Sequence, residues 1–194
     1  MEPTQAGKGT VIGRKALVAY GTKYGSTAKV ADLIAASLRA KGIEPTVVDL
    51  ANANGTNVDG YDLVVVGSCI MMGKWLKHPL EFLEKNRTEL AQKEVAMFVT
   101  CGDVLTGKES LETYQKKYLD DIAEKYGIVS PYEKALFGGV VDFKAYNPLL
   151  RAVIKSIWKD KKKELEAKGV DFAKPYDFRD WDAITAWAST LGAN

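Results

Sequence analysis

An α/β fold with a doubly wound parallel sheet is predicted by three observations. Short apolar runs alternate with amphipathic stretches along the chain. One run, Leu63-Val64-Val65-Val66-Gly67, is continuous and β-branched, which implies a central strand buried on both faces. The 194 residues match one domain, with five strand–helix units and no linker to divide them.

The elements follow in order. Residues 1–14 are rich in Gly and Thr and lack periodicity, so they read as a loose tail ahead of a single domain spanning 15–194. Ala16-Leu17-Val18-Ala19-Tyr20 is long enough for a buried strand and too short for a helix. Gly25-Ser26-Thr27 opens a helix with Val30, Ile34 and Leu38 on one face, and Lys41-Gly42 closes it. Thr46–Leu50 is the second strand, and the Asn- and Gly-rich stretch 51–60 is loop chemistry. After the central strand, Pro79 suits the first turn of a helix running through Leu80, Phe82, Leu83 and Leu90. Val95–Val99 is the fourth strand. Glu109–Tyr126 is a polar helix with sparse apolar positions, and Ala135–Val141 is the fifth strand. A long basic helix follows Asn147-Pro148. The last helix starts near Asp180 and carries Trp181, Ile184, Trp187 and Leu191. Right-handed crossovers make the doubly wound sheet the simplest closure, and a (β/α)₈ barrel needs three more units.

Composition removes several classes. Two cysteines exclude a disulfide-dense scaffold, and no apolar run approaches a bilayer span. No basic stretch followed by an apolar one opens the chain, so it reads as cytoplasmic with reduced thiols. Two Cys and one His cannot complete a four-ligand structural zinc site without carboxylates. No G-x-S-x-G elbow supports a hydrolase.

Open α/β sheets bind ligands beyond the carboxyl ends of their strands, which selects the loops 21–27, 68–77 and 100–107. The first, Gly21-Thr22-Lys23-Tyr24-Gly25-Ser26-Thr27, leaves a strand and opens a helix. Backbone N–H groups and the helix dipole make it an anion site, and its hydroxyls add donors. It contains neither a Gly-Lys-Ser/Thr phosphate loop nor G-x-G-x-x-G, so a mononucleotide phosphate is expected. The second loop contributes Ser68, Cys69, Met71, Met72, Gly73 and Trp75, of which Met71, Met72 and Trp75 are apolar where polar side chains are usual, as a flat aromatic ligand requires. The third, Thr100-Cys101-Gly102-Asp103, brings Cys101 to the same rim as Cys69. Two small buried hydrophobes or a redox-active thiol pair are both readings of those cysteines. His78 follows the second loop, either as a solvated residue at a helix start or as an acid/base group.

Thr22-Lys23-Tyr24-Gly25-Ser26-Thr27 resembles the hydroxyl-rich phosphate loop of the flavodoxins, with Tyr24 in place of a hydroxyl. Gly67–Trp75, Leu150–Lys159 and Tyr176–Trp181 are similar to the menaquinone-dependent protoporphyrinogen oxidase branch of that family. The resemblance implies a strand order 2-1-3-4-5 with helices on both faces, and FMN as cofactor. It implies that Gly73 presents a rotatable peptide to flavin N5. It further implies an electron-transfer protein serving ferredoxin-like or flavoenzyme donors and acceptors. The alternative is an FMN-dependent protoporphyrinogen dehydrogenase with a quinone acceptor.

Flavodoxins are typically acidic, whereas this chain carries +2, so its partner face differs. Residues 151–168 hold seven basic and three acidic side chains, with Arg151, Lys155, Lys159 and Lys162 in one stripe. Such a helix is either a core-packed helix with a solvated face or one that lies on an anionic membrane. Nucleic acid is not expected, because residues 159–168 offer no aromatic to interleave with bases. The aromatic and Met content near the site is compatible with a homodimer.

Overall fold

The computed structural model describes residues 13–53, 55–128, 133–157, 159, 161–167 and 169–193. Most of the expected tail, residues 1–12, lies outside them, as does Trp158. Arg14 is held, pairing with Glu94 and donating to the Gly192 carbonyl at 3.4 Å.

Five strands form the parallel sheet: β1 (Lys15–Gly21), β2 (Glu44–Asp49), β3 (Leu63–Met71), β5 (Glu94–Thr100) and β6 (Glu133–Phe137). Their spatial order is β2-β1-β3-β5-β6, the expected doubly wound order. A two-residue strand, β4 (Lys74–Trp75), folds back antiparallel on the end of β3. Side-chain alternation splits the core into two layers. Ala16, Val18, Leu63, Val65, Ala96 and Phe98 face α1 (Ser26–Ala40) and α9 (Trp181–Thr190). Leu17, Ala19, Val64, Val66, Met97 and Val99 face α2 (Lys77–Lys85), α3 (Arg87–Leu90) and the helical region 111–125. Gly67 lies opposite Phe98 in the β3–β5 ladder; a Cβ there would sit 2.2 Å from the Phe98 ring, so glycine makes room for the aromatic.

Four expectations are corrected. The polar helix is interrupted. A short α4 (Asp103–Thr106) precedes α5 (Leu111–Gln115), which passes through a π-helical turn (Lys116–Asp120) into α6 (Asp121–Lys125). The extra residue of the π turn lets Tyr114, Tyr118 and Leu119 all bury against the sheet. The fifth strand does not run through residue 141. It breaks at Gly138-Gly139, and β7 (Val140–Val141) pairs antiparallel with β8 (Tyr176–Asp177). In place of one basic helix the structure has two, α7 (Pro148–Ile157) and α8 (Lys162–Ala167). The stripe is therefore divided, and Arg151 donates to the Lys144 and Tyr146 carbonyls. Finally, the loop expected from Ser68 is largely the end of β3 and its hairpin.

Residues 140–178 form a lobe with its own core of Val141, Phe143, Tyr146, Leu165 and Val170. Leu150 and Ile154 of α7 pack against it. Among the described residues, no helix is long and apolar enough to cross a membrane.

Candidate functional site

The turn after β1 leads directly into α1. Thr22 Oγ1 accepts the Gly25 N–H at 2.9 Å and closes the turn. Gly25 sits at φ +86°, a left-handed conformation that costs glycine nothing, and it begins α1. Gly25, the N-cap residue, has no side chain with which to cap α1, and the first turn of α1 holds no acidic residue, so the positive end of the helix dipole is not neutralised there. Thr27 is buried and shares a 2.9 Å hydrogen bond with Thr100, which ties the turn to the end of β5. Lys23 and Tyr24 are exposed, while Ser26 borders the cavity beside the turn.

That cavity, of about 550 Å³, lies at the carboxyl ends of β3 and β5, against the turn that follows β1. Its size falls within the range of small-molecule sites, roughly 300–1,000 Å³. Of the residues expected from sequence, Tyr24, Ser26, Cys69, Met71, Met72, Gly73, Thr100, Cys101, Gly102 and Asp103 line it together. Met72 (φ 51°) and Gly73 (φ 74°) make the hairpin turn that presents this wall, and Met72 is 66% exposed. Thr22, Lys23, Gly25, Thr27, Ser68 and Trp75 are not part of the lining. Ser68 is buried, donating to the Cys69 carbonyl and accepting the Leu76 N–H. Trp75 is core, its indole N–H donating to the Tyr118 carbonyl at 2.6 Å. His78 stands outside on α2, 3.7 Å from Glu81.

The flavodoxin-domain family model matches residues 17–168. The chain belongs to the flavodoxin family. It is 25% identical to a protoporphyrinogen IX dehydrogenase (quinone) of Escherichia coli over 91% of this chain and 94% of that one. A protein of the same name from Leishmania major is 25% identical over 92% of this chain and 75% of its own length. Oxidised flavodoxin 1 of Bacillus cereus shares the fold, with a TM-score of 0.50 and 18% identity, covering 64% of this chain and 84% of that one.

Membership of the flavodoxin family indicates FMN as the cofactor, and the donor set fits it. A phosphate matches the uncapped start of α1 and the Ser26 hydroxyl. A flat ring system matches walls made by Tyr24, Met71, Met72 and the 100–103 segment.

Several lining residues carried no clear signal in sequence. Tyr114 and Tyr118 stack with their rings 5.9 Å apart and 3° from parallel. The Tyr118 hydroxyl donates to Asp103 at 2.6 Å; burial and that carboxylate hold the phenol well above its ordinary range. Their spacing of four on a helix was the available clue. The lobe adds Val140, Val141, Tyr146, Leu150 and Ile154, and the Tyr146 ring lies 5.1 Å from that of Tyr24. Only the tertiary fold brings these to the site.

Burial pushes the Cys69 and Cys101 thiols up to about 11, against partial relief from backbone N–H groups of Lys23 and of Val104 and Asp103. Both are therefore thiols at neutral pH, a poor start for thiolate exchange. The folded state keeps its thiol protons above the ordinary value of about 9, where the unfolded chain loses them. Their contribution to stability is thus complete below pH 9 and falls as pH rises toward 11. The expected result is slow alkylation of native protein at neutral pH, and faster alkylation on denaturation. Thiol counts with and without denaturant measure it; equal rates would refute the buried-thiol assignment.

Proposed function

We propose that this flavodoxin-family protein transfers electrons between redox partners through FMN, in the cytoplasm. FMN supplies the redox chemistry, while the protein anchors, orients and shields it. The start of α1 and Ser26 hold the phosphate. Tyr24, Met71, Met72 and residues 100–103 wall the ring. The observation that carries this reading is the junction of the start of α1 with a cavity of mixed apolar and polar lining at the carboxyl ends of adjacent parallel strands. Exposed Tyr24 and Met72 at the rim suit transfer to ferredoxin-like or flavoenzyme partners at the surface. Anaerobic reduction of the holoprotein, followed by mixing with an oxidised ferredoxin, tests it: reoxidation of the flavin is expected, and a reduced flavin that stays reduced would refute it.

A second reading, dehydrogenation of protoporphyrinogen with a quinone acceptor, is favoured by the lobe. Residues 140–178 contribute a wall that extends the cavity beyond the three strand-end loops. The relatives bearing the dehydrogenase name are matched over most of their length. Porphyrinogen turnover with menaquinone would establish this reading, and none would leave the carrier alone. Exposed Leu149 on α7 adds an apolar contact for an anionic membrane surface, which pelleting with anionic vesicles checks.

Gly73→Ala tests the hairpin. Its added Cβ has space, with Lys117 Nζ at 3.7 Å as nearest atom, but φ +74° strains any L side chain. The substitution is expected to cost about 1 kcal/mol of stability and to shift the one-electron potentials of bound FMN. Redox titration of both proteins measures this; unchanged potentials would remove the assigned role of this peptide at the flavin.

A further inference from the structure

The segment Tyr176–Trp181 reaches back across the molecule to the cofactor's phosphate end. Arg179 is its pivot, with 3% of its side chain exposed. Its Nε and Nη2 donate to the Asp177 carboxylate at 2.8 and 2.5 Å. Nη1 donates to the Ser26 carbonyl at 2.9 Å. The guanidinium also lies 4.4 Å over the Trp181 ring. Three donors and one stacked face therefore fix the fork against the first turn of α1.

We propose that Arg179 is a positioning residue for the FMN phosphate, holding the Ser26–Thr27 peptide in place. The carbonyl and N–H of a trans peptide point in opposite directions. A donor on the Ser26 carbonyl therefore fixes the Thr27 N–H toward the start of α1, where the anion docks. The Asp177 carboxylate holds the guanidinium bidentately and offsets its charge, so what Arg179 contributes at α1 is orientation of the peptide. The same segment is joined to the lobe side of the cavity, since Phe178 N–H donates to the Gly139 carbonyl at 3.1 Å. Arg179 thus links the closing motif to the phosphate turn.

The proposal rests on FMN as the cofactor, and riboflavin, which lacks the phosphate, separates the two questions. Flavin fluorescence titrations would compare wild type, Arg179→Lys and Arg179→Gln with each flavin. Wild type binding FMN is the result required of the cofactor assignment; no binding would overturn it and the proposal with it. A buried hydrogen bond to a charged group corresponds to about a tenfold change in affinity or more. Arg179→Gln should therefore weaken FMN about tenfold or more and leave riboflavin within about twofold, with Arg179→Lys between. Equal losses for both flavins, or no loss for either, would overturn the positioning role. Should Arg179→Gln fail to fold, Arg179→Lys decides alone: a loss confined to FMN supports the role, and a loss shared by both flavins overturns it.

Discussion

Gly138→Ala is expected to lower stability by about 2–3 kcal/mol, a fall in Tm of roughly 8 °C for a domain of this size. A Cβ at Gly138 would lie 2.3 Å from the Phe178 carbonyl oxygen, which is backbone and cannot rotate away. Relief requires lifting Phe178, and with it the hydrogen bond to the Gly139 carbonyl. Gly139→Ala is the matched control. Its Cβ would meet nothing closer than 3.9 Å, from the Cys101 backbone, and a change under about 1 kcal/mol is expected. Thermal or urea unfolding of the two variants gives the comparison. Equal stabilities would show that the crossing of Phe178 over Gly138 is not tightly held.

Ser26→Asp should move stability and binding in opposite directions. A carboxylate in the first turn of α1 complements the helix dipole, and a gain of about 0.5 kcal/mol is expected without ligand. The same carboxylate borders the place assigned to a dianion. Each unit of that charge, about 5 Å away at an effective dielectric of about 20, repels the carboxylate by roughly 3 kcal/mol, so FMN affinity should fall at least about a hundredfold. Ser26→Asn keeps a polar side chain without the charge and should stay within a few-fold of wild type. Unfolding of the apoprotein and FMN titration measure the two effects. Normal FMN binding by the Ser26→Asp variant would place the phosphate elsewhere.

The sheet and the anion turn were legible because local chemistry decides them. The run at Leu63 could only be a buried strand, and Lys41-Gly42 marked the end of α1. The turn at 21–27 lies between a strand and a helix in any arrangement of the sheet. The break at Gly138-Gly139 was hidden in an apolar run that reads as continuous, since distant Phe178 decides it. Trp75 looked like a ring wall because it stood with Met71 and Met72 as an apolar residue in a stretch that read as an exposed loop. The hairpin at Met72-Gly73 turns it into the core instead, and Met at φ 51° lacks the usual Asn-Gly signal for such a turn. The spacing of four put Tyr114 and Tyr118 on one helix face, but the π turn and the bond from Tyr118 to Asp103 that bring them to the cavity are tertiary features. Tyr146 and Ile154 arrive by long-range packing of the lobe.

The most direct measurement is titration of flavin-free protein with FMN, followed by quenching of flavin fluorescence. Uptake of one FMN per chain, with a dissociation constant on the order of 1 μM or tighter, is the predicted result. Fluorescence unaltered by the protein at concentrations well above that would contradict the assignment of this cavity.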